Sequence, residues 1–371
     1  MPAAALEPLL RLALVVGIGP QRLAFLIRHF GSAERVLAAS EKQLRLLPGM
    51  SSAVAAGVRE HAGPVGAAVA KRALDAVRRA GAVALTPDDP LYPEPFRVLD
   101  EAPYLLFAAG RLEHLTVPAV AVVGTRTPTA YGRATAAQFS RELVGRGYAV
   151  VSGMARGIDS AAHAAAVEAR GVTIGILGHG IDVVYPPESG RLFSRLREDG
   201  LLLSEFAPSE KPRAGNFPRR NRLISALCQG IIVVEMGLKS GAQHTVSFAL
   251  EQGKEVMAVP GPVDSEQSRG TNQLIREGAR AVTCVEDVIE ELEGVAWTPR
   301  PRLQPPADAP LLPLFDSTQA AVFDALRPDP KHVDLLGEET GLVSGILLAT
   351  LLDLELRGVA EALPGKRFRR A

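Results

Sequence analysis

The chain has no surplus of charge of either sign. Its 371 residues include 41 Lys and Arg against 41 Asp and Glu, so the formal net charge at pH 7 is zero. No global positive field therefore draws the chain to nucleic acid or to an anionic membrane surface. Any site for a polyanion must be a local cluster of basic residues.

Cysteine is scarce, and long apolar runs are missing. Cys228 and Cys284 lie in apolar runs and cannot build a disulfide framework, so we expect two small core residues and a reducing compartment, by default the cytoplasm. No window reaches the roughly 18 uncharged apolar residues of a spanning helix. The apolar start lacks a basic n-region and contains Glu7, so we interpret it as mature structure. A soluble protein with no membrane partner is predicted.

Two nucleotide-binding fingerprints are also missing. Neither GxGxxG nor GxxxxGK[ST] occurs, which disfavours a dinucleotide site and a P-loop. Where a dinucleotide fold would carry a ribose-binding carboxylate, at the end of the second buried strand, the chain has Ser152 and Gly153. We therefore expect no cofactor and no metal.

The length favours two or three domains, and changes of texture along the chain favour three. We predict a helical domain over residues 1–80, an α/β domain over 81–295, a Pro-rich linker over 296–315 and a C-terminal domain over 316–371. No internal repeat is recognised.

The α/β domain is predicted from short β-branched runs that alternate with helical stretches. Because these runs show no in/out alternation, we expect strands buried on both faces, hence a doubly wound, mostly parallel sheet that closes with a helix over Val285–Leu292. The Pro-punctuated segment from Ala82 to Gly110 supplies either flanking strands or a connector. The runs are Ala119–Val123, Ala149–Val151, Val172–Leu177, Leu201–Leu203, Ile231–Val234 and Val256–Val259.

The C-terminal domain has the pattern of a winged helix. Helices are predicted near Ser317–Leu326, Lys331–Thr340 and Ser344–Arg357, followed by a strand-like end. The third helix offers few hydrogen-bond donors, so we expect it to pack or to bind a protein rather than to read a groove. The basic end, Lys366–Arg370, is interpreted as a solvated tail.

Two turns of the α/β domain have the form strand, glycine, helix. Val122–Gly132 (VVGTRTPTAYG) brings backbone N–H groups, a helix N-terminus and Arg126 to one point, which suits a phosphate. Ser152–His163 (SGMARGIDSAAH) follows the next strand. There we prefer Asp159 as a helix N-cap to Asp159 as a ligand, and His163 as a packed core histidine.

The strongest candidate is Lys211–Cys228 (KPRAGNFPRRNRLISALC). Five basic residues and Phe217 precede a helix without any acid, and guanidinium groups around an aromatic ring suit a single strand, whose phosphates and bases they bind. The alternative is a solvated helix start with Phe217 as a hydrophobic staple. Positive charge at a helix N-terminus opposes the macrodipole, which favours a bound anion.

A fourth turn, Glu235–Thr245 (EMGLKSGAQHT), presents Lys239, Ser240 and Gly241 to a phosphate. Glu205 and Glu235 are the only carboxylates expected near this edge, and both are interpreted as orienting arginines. Without an acid and base pair, the edge is predicted to bind rather than to catalyse.

Outside this domain, Val16–Leu23 and Leu47–Val54 resemble the hairpins of helix-hairpin-helix modules, whose glycine turns present amides to a DNA phosphate. An ordinary turn is an equal alternative.

Seven segments, in this order, resemble the DNA-processing protein A family (DprA, or Smf) over nearly the whole chain. They are VVGTRTPTAYG, SGMARGIDSAAH, GHGIDVVYPPE, LLSE, NFPRRNRLISAL, SGAQHTVSFALEQGKEVMAVPG and GTNQLIREGA. The resemblance implies an extended Rossmann-like domain with an N-terminal SAM-like or helix-hairpin-helix domain and a winged helix. It also implies a homodimer that binds and protects incoming single-stranded DNA and loads the RecA recombinase in natural transformation.

The turns and the resemblance together predict which residues contact DNA. Two positions depart from the family: the basic residue before Asn216 is either Arg213 or Lys211, and His244 stands where relatives have a small or aliphatic residue. The predicted contacts are Gly124, Thr125, Arg126, Ser152, Gly153, Arg156, Lys211, Arg213, Asn216, Phe217, Arg219, Arg220, Asn221, Arg222, Lys239, Ser240 and Gly241.

Two other functions stay open. A nucleotide phosphoribohydrolase of the lysine-decarboxylase-like Rossmann group shares much of the architecture, but such enzymes carry PGGxGTxxE where this chain has KSGAQHT. A duplex-DNA regulator would act through the winged helix, whose third helix is acidic and poor in donors.

Overall fold

The computed structural model describes residues 3–293, 317–327, 330–356, 360–363 and 365–370. They fall into two units, one within residues 1–299 and one within 300–371. The predicted Pro-rich linker over 296–315 lies outside the described residues.

The first unit begins with six helices, as the Ala- and Leu-rich periodicity predicts. Their apolar faces meet in a core that includes Leu10 and Leu26 and continues onto Phe107 and Leu202, so the helices pack directly on the α/β part. The predicted boundary at residue 80 stays a prediction. The helices are α1 Ala3–Ala13, α2 Pro20–Phe30, α3 Ala33–Ala38, α4 Glu41–Arg45, α5 Ser52–Ala62 and α6 Pro64–Arg79.

Two turns in this helical part have the same backbone form, and they lie in the two predicted hairpin segments, Val16–Leu23 and Leu47–Val54. The turns before α2 and α5 stand 32 residues apart, each around a left-handed glycine, Gly17 (φ 89°) and Gly49 (φ 71°). In each, the amide after the glycine donates to the carbonyl two residues before it, at 3.0 and 3.2 Å. A Cβ on Gly17 would meet Val54, and one on Gly49 would meet Arg22, which are themselves 32 residues apart. The two turns are therefore alike in backbone conformation, and each packs near the helix that follows the other.

A nine-stranded sheet forms the centre of the first unit, in the order β1-β2-β6-β5-β4-β3-β7-β8-β9. From β6 to β9 the strands are parallel, while β2 joins β6 antiparallel and β1 completes a hairpin, so the segment from Ala82 to Gly110 supplies flanking strands. The strands are β1 Ala82–Leu85, β2 Leu106–Gly110, β3 Ala119–Val123, β4 Ala149–Ser152, β5 Thr173–Leu177, β6 Leu201–Ser204, β7 Gly230–Val233, β8 Glu255–Ala258 and β9 Arg280–Ala281.

Helices cover both faces of this sheet, which confirms the doubly wound prediction. Val120 and Ile232 pack under α8, α9 and α14, whereas their neighbours Ala121 and Ile231 pack under α11, α12 and α13 on the opposite face. Neither cysteine is in a disulfide, and Cys228 is buried while Cys284 is partly buried. The helices are α7 Glu94–Arg97, α8 Ala130–Gly145, α9 Ile158–Glu168, α10 Gly190–Glu198, α11 Asn216–Leu227, α12 Ala242–Glu251, α13 Arg269–Arg276 and α14 Val285–Glu293.

The second unit is a winged helix, as predicted. Its predicted strand-like end forms the hairpin of β11 and β12, with β10 paired to β12, and Arg369 of the basic end forms an ion pair with Glu361 at 2.6 Å. Leu348 and Leu352 on the third helix are about half exposed. The elements are α15 Ser317–Ala325, β10 Lys331–His332, α16 Val333–Thr340, α17 Ser344–Leu356, β11 Ala360–Leu363 and β12 Arg367–Arg370.

Among the described residues, no single helix has the length and apolarity to cross a membrane. The pair Val333–Thr340 and Ser344–Glu355, bent by 108°, meets that criterion jointly by length and composition.

Candidate functional site

The turns after β3, β4 and β7 meet at the carboxyl edge of the sheet. The Thr125 amide donates to the Glu235 carbonyl oxygen at 2.7 Å, and the Ile158 amide donates to the Thr125 carbonyl oxygen at 3.2 Å. A Cβ on Gly124 would lie 2.7 Å from the same Glu235 oxygen, so only glycine allows this approach. Three of the four predicted turns therefore form one hydrogen-bonded surface.

Phe217 lies at the start of α11, beside this surface. Its half-buried ring has the exposed Arg126 guanidinium carbon 5.5 Å from its centroid and the Tyr185 ring 5.7 Å away at 34°. Below it is Gly178, where a Cβ would come within 2.9 Å of the ring. The ring is thus packed closely against Gly178 with a cation over it, and an aromatic ring next to a guanidinium group suits a stacked base and its phosphate.

The sequence analysis did not assign Gly178 or Tyr185 to the site. Both belong to the segment after β5, which entered only as a family motif. A sequence signal for Tyr185 was available: it is an aromatic residue in a loop that follows a buried parallel strand. Such loops meet at the carboxyl edge of the sheet, where ligands bind.

Arg220 does not point to solvent, and its expected direct contact with DNA stays a prediction. It is 3% exposed and donates to the carbonyl oxygens of Gly153, at 2.6 Å, and Ile176. Burial lowers the pKa of its guanidinium to about 10, although the nearby Asp159 carboxylate favours the charged form.

Ser152 is also fully buried and donates its hydroxyl to the Val122 carbonyl oxygen at 2.7 Å. The buried Arg220 and Ser152 side chains thus stabilise the backbone at the carboxyl edge of the sheet through hydrogen bonds to carbonyl oxygens.

Asp159 is not the N-cap of α9, contrary to expectation. That position belongs to Gly157, and the buried Asp159 carboxylate accepts from the amides of Gly153 at 3.0 Å and Ala155 at 3.3 Å. Desolvation raises the pKa of this carboxyl, and the Arg220 guanidinium opposes the rise. Asp159 and Arg220 therefore fix the turn after β4 from two sides.

His163 is a core histidine, as predicted. It is fully buried, with Nδ1 2.7 Å from the Thr173 hydroxyl. Burial lowers the pKa of its imidazole to about 3.

Glu205 orients two arginines, as predicted, but Glu235 orients none. Arg222 lies 2.8 Å from the Glu205 carboxylate with its side chain 7% exposed, and Arg219 lies 3.3 Å away with 40% exposed. Burial raises the pKa of Glu205, and the two guanidinium groups oppose that rise. Glu235 accepts from the amide and hydroxyl of Thr129, at the start of α8. Arg222 is thus an interior residue rather than a surface contact.

The side chains of the remaining predicted contacts differ in whether they have an ion-pair or hydrogen-bond partner in the chain. Arg156 is exposed and paired with Glu188, the Asn216 side chain donates to Glu210 at 2.9 Å, and Asn221 accepts from Arg220 at 3.1 Å. Of the predicted contacts, all within the described chain, four exposed basic side chains form no ion pair: Arg126, Lys211, Arg213 and Lys239. His244 is exposed on α12. In the same part of the chain, no cluster of three His, Cys, Asp or Glu side chains is arranged to hold a metal ion.

The chain matches two family models. One, described as DNA recombination-mediator protein A, matches residues 83–293, and another, described as DprA winged helix domain, matches 301–366. Protein Smf of Escherichia coli is 40% identical over 292 residues, covering 76% of this chain and 77% of that protein. Protein Smf of Synechocystis sp. is 30% identical over 395 residues, covering 96% of each.

Two solved structures are similar as well. DNA processing protein A from Streptococcus pneumoniae has a TM-score of 0.67 at 32% identity, covering 78% of this chain and 98% of that one. The DNA processing protein A of Helicobacter pylori, whose structure is described as showing a unique single-stranded DNA binding mode, has a TM-score of 0.53 at 30% identity, covering 57% of this chain and 96% of that one.

Proposed function

The chain belongs to the DprA/Smf family of DNA recombination-mediator proteins, and we propose that it binds single-stranded DNA across the carboxyl edge of its sheet. The observation that carries the proposal is Phe217, whose ring lies over Gly178 beside the unpaired guanidinium of Arg126. A base stacks on the ring while Arg126 pairs with a phosphate.

A single strand fits this edge better than a duplex does. The ring is half-buried, with Tyr185 beside it and backbone beneath it, so an unpaired base reaches it more readily than one held in a helix. Lys211, Arg213 and Lys239 are exposed around the same edge and supply phosphate contacts. In this proposal Arg220, Arg222 and Ser152 act by shaping the edge.

The edge is proposed to hold DNA without cutting it. Five carboxylates there have a structural partner: Asp159 the amides of the second turn, Glu205 two arginines, Glu235 Thr129, Glu188 Arg156, and Glu210 Asn216. None is left as a positioned acid or base. The wider role that we propose is protection of incoming DNA and loading of RecA during natural transformation, by a cytoplasmic homodimer with the predicted domain boundaries.

A titration of a fluorescent oligonucleotide, as single strand and as duplex across a range of salt concentrations, tests the proposal. We expect a preference for the single strand and an affinity that falls as salt rises. Equal affinity for the duplex contradicts it. Release of free base from a nucleoside monophosphate by the purified protein supports the phosphoribohydrolase instead.

The duplex-regulator alternative is tested by deletion of residues 316–371. The exposed apolar side chains Leu348 and Leu352 on α17 are poor readers of base edges. We therefore expect the shortened chain to keep single-strand binding. Loss of binding by a chain whose circular dichroism shows a folded α/β unit favours the regulator.

A further inference from the structure

An open cavity of about 580 Å³ lies between the N-terminal ends of α8 and α9. These helices cover the face of the sheet opposite α11, which carries Phe217. Arg126 belongs to both places, because it lines the cavity and its guanidinium carbon stands 5.5 Å from the centre of the Phe217 ring. The cavity therefore adjoins the proposed stacking site across the edge of the sheet.

The lining of the cavity is positive and contains no acid. Besides Arg126 it includes Thr127, Ser160 and the exposed Arg133, whose Nη1 donates to the Pro128 carbonyl oxygen at 2.9 Å, so this guanidinium is held at the wall by backbone. Asp159 and Glu235, on the adjoining turns, are not among the lining residues, and their carboxylates accept from the Gly153 and Ala155 amides and from Thr129. Two guanidinium groups at one cavity, Arg133 held by backbone and Arg126 free of any ion pair, favour an anion.

Gly157 lines this cavity at the contact between the two turns. It adopts a left-handed φ of 83°, and a Cβ there would lie 2.4 Å from the Thr125 carbonyl oxygen. Because Gly157 has no side chain, the turns after β3 and β4 come into contact, and the N-terminal ends of α8 and α9 lie next to each other. Their positive ends add to the field of the two arginines.

We propose that this cavity binds a backbone phosphate of the same strand whose base stacks on Phe217, so that the strand crosses the sheet edge from the α11 side to the α8 and α9 side. The inference rests on the proposed single-strand binding and adds a phosphate subsite to it. A free mononucleotide offers the same phosphate chemistry, and the test separates the two sources.

The test compares the full-length wild type with Arg133→Ala and Thr127→Asp, titrated with a fluorescent oligothymidylate at several salt concentrations. The matched control is Arg141→Ala, which removes an exposed arginine two turns farther along α8. We expect Arg133→Ala to bind about five-fold more weakly, as for a solvent-accessible ion pair. Its salt slope should fall by about 0.7, the value for one phosphate on a single strand. Thr127→Asp should weaken binding at least as much, and Arg141→Ala should match the wild type.

Each of the other outcomes contradicts the phosphate subsite alone or the subsite together with single-strand binding. If Phe217→Ala weakens binding while Arg133→Ala and Thr127→Asp leave affinity and slope unchanged, the subsite is wrong and single-strand binding stands. An equal loss in Arg141→Ala shows a general charge effect and also overturns the subsite. If excess thymidine monophosphate removes the difference between wild type and Arg133→Ala, the cavity is a mononucleotide site. If the wild type shows no single-strand preference, both proposals fall.

Discussion

The guanidinium of Arg220 donates a 2.6 Å hydrogen bond to the carbonyl oxygen of Gly153 and so joins α11 to the turn after β4. A Cβ on Gly153 would lie 2.5 Å from this guanidinium, so the two residues fit only as arginine and glycine. The basic segment of α11 therefore contains residues of two kinds, some that hold the edge together and some that face solvent.

We expect Arg220→Glu to destabilise the fold by about 3–5 kcal/mol, because it places a second carboxylate beside the buried Asp159 and leaves the Gly153 oxygen without its donor. Urea denaturation measures the loss. Arg213→Glu, which makes the same charge change at an exposed position, is the control and should keep wild-type stability. A stable Arg220→Glu protein that loses DNA affinity would show that Arg220 contacts DNA directly.

Arg222→Ala and Arg219→Ala should differ although both remove a partner of Glu205. Arg222 is the buried partner at 2.8 Å, so its loss leaves the Glu205 carboxylate poorly compensated and should cost about 3–5 kcal/mol of unfolding free energy. Arg219 is 40% exposed at 3.3 Å, so its loss should cost about 1 kcal/mol or less. Thermal or urea unfolding of both variants gives the comparison, and equal losses would contradict it.

Phe217→Ala should lose about 1–3 kcal/mol of single-strand binding free energy, the contribution of one base stacked on an aromatic ring. Phe217→Tyr keeps the ring and is the matched control, expected to bind nearly as the wild type does. Fluorescence anisotropy with an oligothymidylate measures both. Similar losses in the two variants would point to a disturbed helix start rather than to a lost stack.

Gly178→Ala should also weaken single-strand binding, without any change of charge. The added methyl group would lie 2.9 Å from the Phe217 ring, so the ring must move from its place beside Arg126. Because no charge is lost, the salt slope should stay at its wild-type value while affinity falls. Unchanged affinity would mean that the position of the ring does not matter.

Stability should fall as the pH drops below about 6.5, in part through His163. The folded state holds this imidazole neutral down to a pKa of about 3, whereas the unfolded chain takes up a proton near 6.5. The contribution of His163 is therefore fully present above pH 6.5 and is lost toward pH 3, by at most about 1.4 kcal/mol per pH unit.

Urea denaturation between pH 7.5 and 5 measures this slope. His163→Asn should have a flatter dependence than the wild type, and His29→Asn, at an exposed position on α2, should keep the wild-type dependence. Identical slopes in all three proteins would show that His163 is protonated in both states or in neither.

The alternation of short apolar runs with helical stretches determined the central fold. Runs such as Ala119–Val123 are buried on both faces, and that physical fact is written into their composition, so a parallel sheet and the position of its carboxyl edge follow from sequence. The same rule placed Arg126, Phe217 and Lys239 at one edge. The two glycine turns of the helical part were also visible in the sequence, through Gly17 and Gly49, and the structure gives both glycines a left-handed φ.

Tertiary structure alone decided which charged residues face solvent. Arg219, Arg220 and Arg222 are alike in sequence, yet their environments differ. Arg219 is 40% exposed beside Glu205, Arg220 is bound to backbone oxygens, and Arg222 is the buried partner of Glu205, because helical rotation and the neighbouring strands set each environment. Likewise, only the packing of α8 against α9 brings Arg133 to Arg126 around a cavity. The sequence by itself thus determined the edge and its chemistry, while the three-dimensional packing decided which side chains are free to use it.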